Sequence, residues 1–477
     1  MTTAAPLTIA EVRRRLWELA HGNLAAIFTA QVVSGLASLA VMVMINRVYA
    51  RPGDTADAGR LAAINSIVMT VILLTAVGVA QSVTLRISRA RAAGGEGESA
   101  EIARSVGAGL ILGGGIGAVL LVLGVVVPLV VLWAARIGWP AWAATIEGHV
   151  AALQLAALWF PSWSMIVVMV AVFDGFQRMR WSLLAEGITF QSLRLGAAAL
   201  VMLVAGWAWM GLIGAWAVAS AVAALLIGLQ LWIFLKRRKQ PVARTGLPLG
   251  GIGRDWFFMF LPTAASPVTT QAGVLVAWAA GGDAASATFW VTWSLALLVT
   301  ALCGPVGRVL FPAVANLRAS SDKTEMARVL RRAFWGVSAV GLLFVLIVNA
   351  SKGLVLVYLH QEGQGAVFTV LLAAGFFEIS RMLFNPVLLA SGMERPLTVV
   401  EWISLAAIVL AGYPAVVAWG VIGLAGVFVA VLLVGTLVRV ALVARATGVG
   451  LWRETLVTTA VVLAVMTMLL MCDLGRL

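Results

Sequence analysis

Charge is scarce in this sequence: 11% of its 477 residues are Asp, Glu, Lys or Arg, against 62% that are hydrophobic. A water-soluble domain has roughly a quarter charged and about half apolar residues, so a soluble globule is excluded. Histidine is nearly missing, and His21, His149 and His360 fall in separate connections without metal-ligand spacing, so no metal site is expected. The two cysteines, Cys303 and Cys472, lie far apart in apolar runs, which leaves neither a disulfide framework nor a thiolate site. Large polar loops are missing too. The longest connection on the side poor in basic residues, Trp133 to His149, spans 17 residues and holds one acidic residue, Glu147, and one histidine. A membrane enzyme of glycan assembly needs a larger loop, or a cluster of acidic residues and histidines at one membrane face. That class survives as a rival only through Glu147, His149 and Asp283. Gly113-Gly-Gly-Ile-Gly117 sits in an apolar run and lacks the Lys-Ser/Thr of a phosphate loop, so it reads as a close helix contact. No cofactor and no enzymatic activity are expected.

What the chain does have is apolar runs of about the 20 residues needed to cross a bilayer as a helix. They lie at 24–49, 61–85, 105–132, 150–173, 182–205, 211–235, 256–280, 288–311, 334–359, 367–390, 398–419 and 421–443, with a weaker thirteenth at 455–472. The net charge of +13 would point to nucleic acid in a soluble protein, but here it is read by position. With the N-terminus in the cytoplasm, cytoplasmic segments collect 23 of the 33 basic residues, and the other side gets Arg51, Arg60, Arg136 and Arg476. That bias sets the orientation of polytopic proteins, and no nucleic-acid partner is expected. The polar stretch 1–23 is not a cleavable signal. Ile9, Val12, Leu16 and Leu19 give it one apolar face, as in a helix lying on the cytoplasmic membrane surface. Asp322 with Glu325 has capping-box-like spacing and predicts a short surface helix leading into the ninth run.

Three short strings recur in the same order. Glu101-Ile-Ala-Arg104 returns as Glu325-Met-Ala-Arg328, Gly175-Phe-Gln-Arg178 as Gly392-Met-Glu-Arg395, and Gly211-Leu-Ile-Gly214 as Gly420-Val-Ile-Gly423, at offsets of 224, 217 and 209. The pattern is that of one six-helix unit used twice. An even number of crossings returns the chain to its starting side, so the copies are parallel repeats about an axis along the membrane normal. The expected fold is an all-α polytopic membrane protein of two six-helix bundles, with 12 core transmembrane helices and a possible thirteenth. The expected division is an amphipathic segment 1–23, a bundle 24–235, a basic Pro- and Gly-containing linker 236–255, a second bundle 256–443 and an extra hydrophobic segment 444–477. Such an architecture points to a transporter with its path between like halves.

Charges inside apolar runs cost about 2.5–3.5 kcal/mol each on insertion scales, so each needs a reason. Arg194 lies near the middle of the fifth run with no acidic neighbour one turn away. Glu378 and Arg381, spaced i, i+3 in the tenth, share a helix face and can neutralise each other. Arg308, between Gly304-Pro305 and Pro312, would face a cavity if the helix breaks there. Arg47 beside Asn46, Lys352 near Asn349, and Arg439 lie where snorkelling to the interface accounts for them. Pro161, Pro262, Pro267, Pro386 and Pro414 are candidate bends. Taken together the deep charges are mostly cationic, and guanidinium pairs with phosphate through two parallel hydrogen bonds.

Several patterns now align. The chain shows Asn23, Gly35 and Arg47 followed by Ala76-Val-Gly78 and Arg86, Phe173-Asp-Gly-Phe-Gln-Arg178 with Arg194, and Gly420-Val-Ile-Gly423 at the last hairpin. Over about residues 20–445 it resembles the oligosaccharide-lipid (O-antigen type) flippases of the multidrug/oligosaccharidyl-lipid/polysaccharide flippase superfamily. The resemblance implies two bundles in a V around a cationic cavity. Alternating access would carry undecaprenyl-diphosphate-linked oligosaccharide across a bacterial cytoplasmic (inner) membrane for surface polysaccharide biosynthesis, with membrane lipids and possibly a polysaccharide polymerase and chain-length proteins as partners. On that reading Arg47, Arg194, Arg308, Lys352 and Arg381 are substrate-binding candidates, Glu378 is a cation-coupling candidate, and Trp159, Trp163 and Trp290 either stack on sugars or anchor at the lipid interface. The related multidrug and toxic compound extrusion (MATE) transporters typically use membrane carboxylates for cation coupling. The first run here has none, so a cation-coupled multidrug exporter is the alternative.

Overall fold

In a computed structural model, residues 55–93, 97–138, 140–176, 184–203, 209–238, 249–320 and 323–473 are described, with positions 36–37, 40–41, 43–45, 49, 178 and 181–182. Among them no strand occurs. The helices are α1 (Ala56–Ala93), α2 (Glu98–Gly138), α3 (Pro140–Ala157), α4 (Trp159–Gly175), a π-helix (Leu184–Phe190), α5 (Gln191–Leu203), α6 (Trp209–Arg237), α7 (Leu249–Ser320), α8 (Lys323–Ala350), α9 (Lys352–Tyr358), α10 (Gly365–Ala390), α11 (Glu394–Trp419), α12 (Val421–Thr447) and α13 (Trp452–Asp473). Ten candidate spans among these residues are long and apolar enough to cross a membrane. The amphipathic segment 1–23, most of the first apolar run and residues 239–248 of the linker lie outside the described residues.

The apolar periodicity becomes two separate cores. One is built from α1, α2, α4 and α6, with Ile72, Val168, Phe173, Ile213 and Trp216 buried in it. The other is built from α7 to α13, around Phe289, Trp293, Phe384, Phe428 and Met466. The chain is therefore two-lobed. The lobes meet along α1 and α7, where Ala62 joins the second core, Ala287 joins the first, and Trp290 packs against both. The recurring strings occupy matching places: Glu101 and Glu325 sit in the first turns of α2 and α8, Gly211 lies in the first turn of α6, and Gly420 immediately precedes α12.

Helix α2 illustrates how sequence chooses faces in lipid. Val119, Val122, Val126, Val130 and Trp133, three or four residues apart, stay exposed on one side. The opposite side brings Gly113 and Gly117 against α4, where an added Cβ would lie 2.9 Å from Val168 Cγ2 and 2.5 Å from Pro161 Cα respectively. The glycine run is a packing seam, because without a hydrophobic force between helices close backbone approach supplies the contact.

Three expected elements differ in detail. The fifth run is a π-helix followed by the 13-residue α5. The surface helix and the ninth span are one continuous helix, α8, which stops at Ala350 and resumes as α9. The expected break at Gly304-Pro305 is absent: α7 stays helical through both residues, and its non-helical point is Gly282 at φ 76° and ψ −168°, where the chain reverses. Only glycine adopts that backbone without strain.

The thirteenth run forms a helix fastened at both ends. Glu454 pairs with Arg331 of α8 at 3.1 Å, while at the far end Asp473 pairs with Lys352 of α9 and accepts from Thr369 Oγ1 at 2.9 Å. Helix α13 thus runs the length of α8, as a crossing helix does. Replacing Asp473 with Ala is expected to cost about 1.5–3 kcal/mol, the range for hydrogen bonds to charged groups. Thermal unfolding of the purified protein reads this loss, and an unchanged midpoint would show that the clasp contributes nothing.

Candidate functional site

Arg194 sits one turn into α5, directly after the π-helix, a distortion that recurs at functional sites. Its guanidinium carbon lies 4.7 Å from the centroid of Trp216 on α6, 5.4 Å from Trp163 on α4 and 5.6 Å from Phe190. These rings are themselves fixed: Trp163 meets Phe190 edge-on at 5.0 Å, and Trp216 meets Trp159 edge-on at 5.5 Å. Ring faces attract a cation but accept no hydrogen bond comparable to a carboxylate's. Among the described residues Arg194 has no ion pair, and the buried Trp216 Nε1 has no acceptor. A partly buried guanidinium held among rings, with no carboxylate partner among the described residues, can receive an anion.

The other deep cations are differently placed. Arg381 and Arg439 are 1% exposed, and both are bound to carboxylates in the second lobe. Arg381 Nη1 donates to Glu378 Oε1 at 3.0 Å, and Arg381 Nη2 lies 2.7 Å from Glu401 Oε2. Arg439 Nη2 donates to Glu401 Oε1 at 2.6 Å and Arg439 Nε to Asn385 Oδ1 at 3.1 Å, while Asn385 Nδ2 donates to Glu401 at 3.0 Å. Two arginines and two glutamates make a neutral network tying α10, α11 and α12 together. Snorkelling is therefore not the explanation for Arg439. It points into the lobe because Glu401 waits there. Glu401 itself, seven residues after the start of α11, is a second deeply buried acid that the sequence reading did not single out.

Arg381 thus spends its donors on protein carboxylates, and a coupling cation at Glu378 would have to displace it. Lys352, 18% exposed, is engaged by Asp473 and by Thr369 Oγ1 at 3.2 Å, so it too is fastened rather than snorkelling. Arg308 lies on the helical backbone of α7, and Arg47 lies outside the described residues. Of the candidates whose side chains are described, Arg194 lies in the first lobe and Lys352 and Arg381 in the second, and they do not gather into one cluster. Trp159 and Trp163 are 1% and 7% exposed, and Trp159 Nε1 donates to Ile213 O at 2.9 Å. They are neither lipid-interface anchors nor open platforms for sugars, because the first lobe uses them as core.

Sequence reading missed the convergence at the Gly282 reversal. Asp283 receives Arg60 Nε of α1 at 2.9 Å and Trp278 Nε1 at 2.9 Å, and His149 Nε2 of α3 lies 3.8 Å away. His149 also meets Trp278 edge-on at 5.5 Å. Ser286 Oγ donates to Gly59 O at 3.3 Å, and any Cβ on Gly59 would collide with the Asp283 carbonyl. Two of the three rival enzyme candidates, His149 and Asp283, come together here, whereas Glu147 pairs with Arg136 at 2.6 Å. Asp283 has its donors from both lobes, so this cluster closes the lobes against each other at one end. At the opposite, basic end of the first lobe, Arg91 donates to Phe176 O at 2.7 Å and Arg238 lies over Phe176 and Phe234. Burial, with Arg178 and Arg91 nearby, pushes the Arg238 guanidinium below its ordinary value.

No protein-family model and no curated protein matches the chain. Solved structures do. One described as the inward-facing conformation of a multidrug resistance MATE family transporter of the MOP superfamily matches with a TM-score of 0.65 at 16% identity, covering 91% of this chain and 95% of that one. An outward-facing structure described in the same terms gives 0.60 at 14% identity, over 94% and 96%. A MOP superfamily transporter from Pyrococcus furiosus, described as having a binding pocket of reverse polarity that suggests a different function, gives 0.60 at 15% identity over 94% and 96%. At such identities the likeness is one of fold.

Proposed function

We propose that the chain is a membrane transporter in which two lobes alternate access to a path between them, and that its substrate is an anionic lipid-linked oligosaccharide carried on a polyprenyl diphosphate. The observation that carries this reading is Arg194, a cation at membrane depth caged by Trp163, Phe190 and Trp216 with no ion pair among the described residues. A diphosphate supplies the missing charge and the paired acceptors that a guanidinium fork fits. Transporter descriptions attached to proteins of the same fold support the alternating-access part, and a reversed-polarity pocket is described for one of them. The N-terminus is assigned to the cytoplasm of a bacterial inner membrane on the basic-residue bias.

Deleting the gene is expected to remove surface polysaccharide and to trap complete lipid-linked units on the cytoplasmic face, assayed in inverted and right-side-out vesicles. Restoring Arg194→Gln in place of the native residue lowers transport roughly 10- to 150-fold, the equivalent of losing a charged hydrogen bond of about 1.5–3 kcal/mol. Arg194→Lys recovers part of it, having the charge without the fork. Polysaccharide unaffected by deletion sinks the substrate assignment. Full transport by a folded Arg194→Gln sinks the site. The second reading is export of organic cations, favoured by the multidrug descriptions of the fold neighbours; loss of drug resistance with intact polysaccharide would establish it instead.

A further inference from the structure

The start of α8 has a basic face unconnected with the lobe interfaces. Lys323, Arg328, Arg331 and Arg332 surround an open groove of about 580 Å³ with Thr324 and Ala327. All four cations are exposed. Two are partly neutralised, Arg328 by Glu325 and Arg331 by Glu454. Lys323 and Arg332 have no ion pair among the described residues.

The same helix face changes character along its length. At 3.6 residues per turn, Thr324, Arg328 and Arg332 line up with Trp335 and then with Leu343, Leu346 and Ile347. Trp335 is 47% exposed, Leu343 58%, Leu346 43% and Ile347 59%. Facing outward from the bundle, therefore, is a cationic groove, then an indole, then an apolar stripe. Phospholipids have that order from headgroup through glycerol to acyl chain. From Arg332 to Leu343 the helix rises roughly 16 Å at 1.5 Å per residue, close to one leaflet of a hydrocarbon core about 30 Å thick.

We propose that this face of α8 is a binding site for an anionic phospholipid, its phosphate in the groove between Lys323, Arg328 and Arg332 and its acyl chain along Leu343 and Leu346. Basic residues that only fix topology need neither a groove nor an exposed apolar continuation on the same face. Two cations without an ion pair among the described residues favour an anionic headgroup over a zwitterionic one by roughly 30-fold. Lipid binding here is independent of the transported substrate, and Lys323 and Arg332 belong to none of the machinery described above.

The test uses the full-length, detergent-solubilised protein and counts retained phosphatidylglycerol and phosphatidylcholine by intact-protein mass spectrometry. The native chain should prefer phosphatidylglycerol roughly 30-fold. Lys323→Gln with Arg332→Gln should abolish most of that preference, while Arg445→Gln, a basic residue on α12, should not. If the double variant does not fold, raising salt on the native chain must erode the preference in its place. Equal retention of the two lipids overturns the proposal, as does a preference that survives both the double substitution and high salt. Tighter retention of undecaprenyl phosphate than of phosphatidylglycerol, lost in the same variant, would also overturn it and give the face to the carrier lipid.

Discussion

Replacing Glu401 with Ala is expected to destabilise the second lobe by about 3–5 kcal/mol, the cost of breaking a buried ion pair by removing one partner. Glu401 is 0% exposed and serves Arg381, Arg439 and Asn385 at once. Its loss leaves Arg439 with no carboxylate and Arg381 with Glu378 alone. Three helices, α10, α11 and α12, lose their shared anchor. Thermal unfolding of purified protein measures the loss, and combining Glu401→Ala with Arg439→Met should recover much of it, since the stranded charge is then gone. A single variant as stable as the native chain would mean the network contributes no stability, and a double variant no better than the single would locate the cost elsewhere. The same reasoning makes the network a poor substrate site: a ligand anion would have to compete with two carboxylates already at 2.6–3.0 Å from its arginines.

Gly59→Ala is expected to hold the lobes apart at the Gly282 end and to stop turnover while each lobe stays folded. The added methyl meets Asp283 backbone, which cannot swing away as a side-chain tip would. Overpacking costs about 1–3 kcal/mol, which moves the balance between closed and open forms roughly 5- to 150-fold. Spin labels at Glu147, exposed on α3, and at Glu362, exposed in the turn before α10, sit on opposite lobes and report the distance directly. A longer distance in Gly59→Ala supports closure by this cluster. An unchanged distribution with normal transport would mean that Gly59 and Asp283 merely happen to be close.

Much of the fold is legible because its information is local. A bilayer-length apolar run, a glycine seam in α2 and an i, i+3 pair such as Glu378 with Arg381 each depend on residues within a few turns. The repeat is legible because equal helix starts carry similar strings. The second lobe was misread where the relevant partner is remote: Arg439 taken alone looks like an interface residue, and Glu401 was not singled out at all. Proline was misleading at Gly304-Pro305, where a break was expected and α7 stays helical, because neighbouring packing tolerates proline in membrane helices.

By itself the sequence determined the solvent, the approximate crossings, the doubling into two halves and the presence of a deep Arg194 with no acidic neighbour one turn away. Only tertiary structure decided which deep charges are already satisfied and where the halves meet. Arg439 finds Glu401 38 residues away, Lys352 finds Asp473 at 121, and Arg60 finds Asp283 at 223. Helical periodicity says which residues share a face, but which faces meet is set by how whole helices fill space against one another. A charge inside a membrane is read as free or spent only once that packing is known.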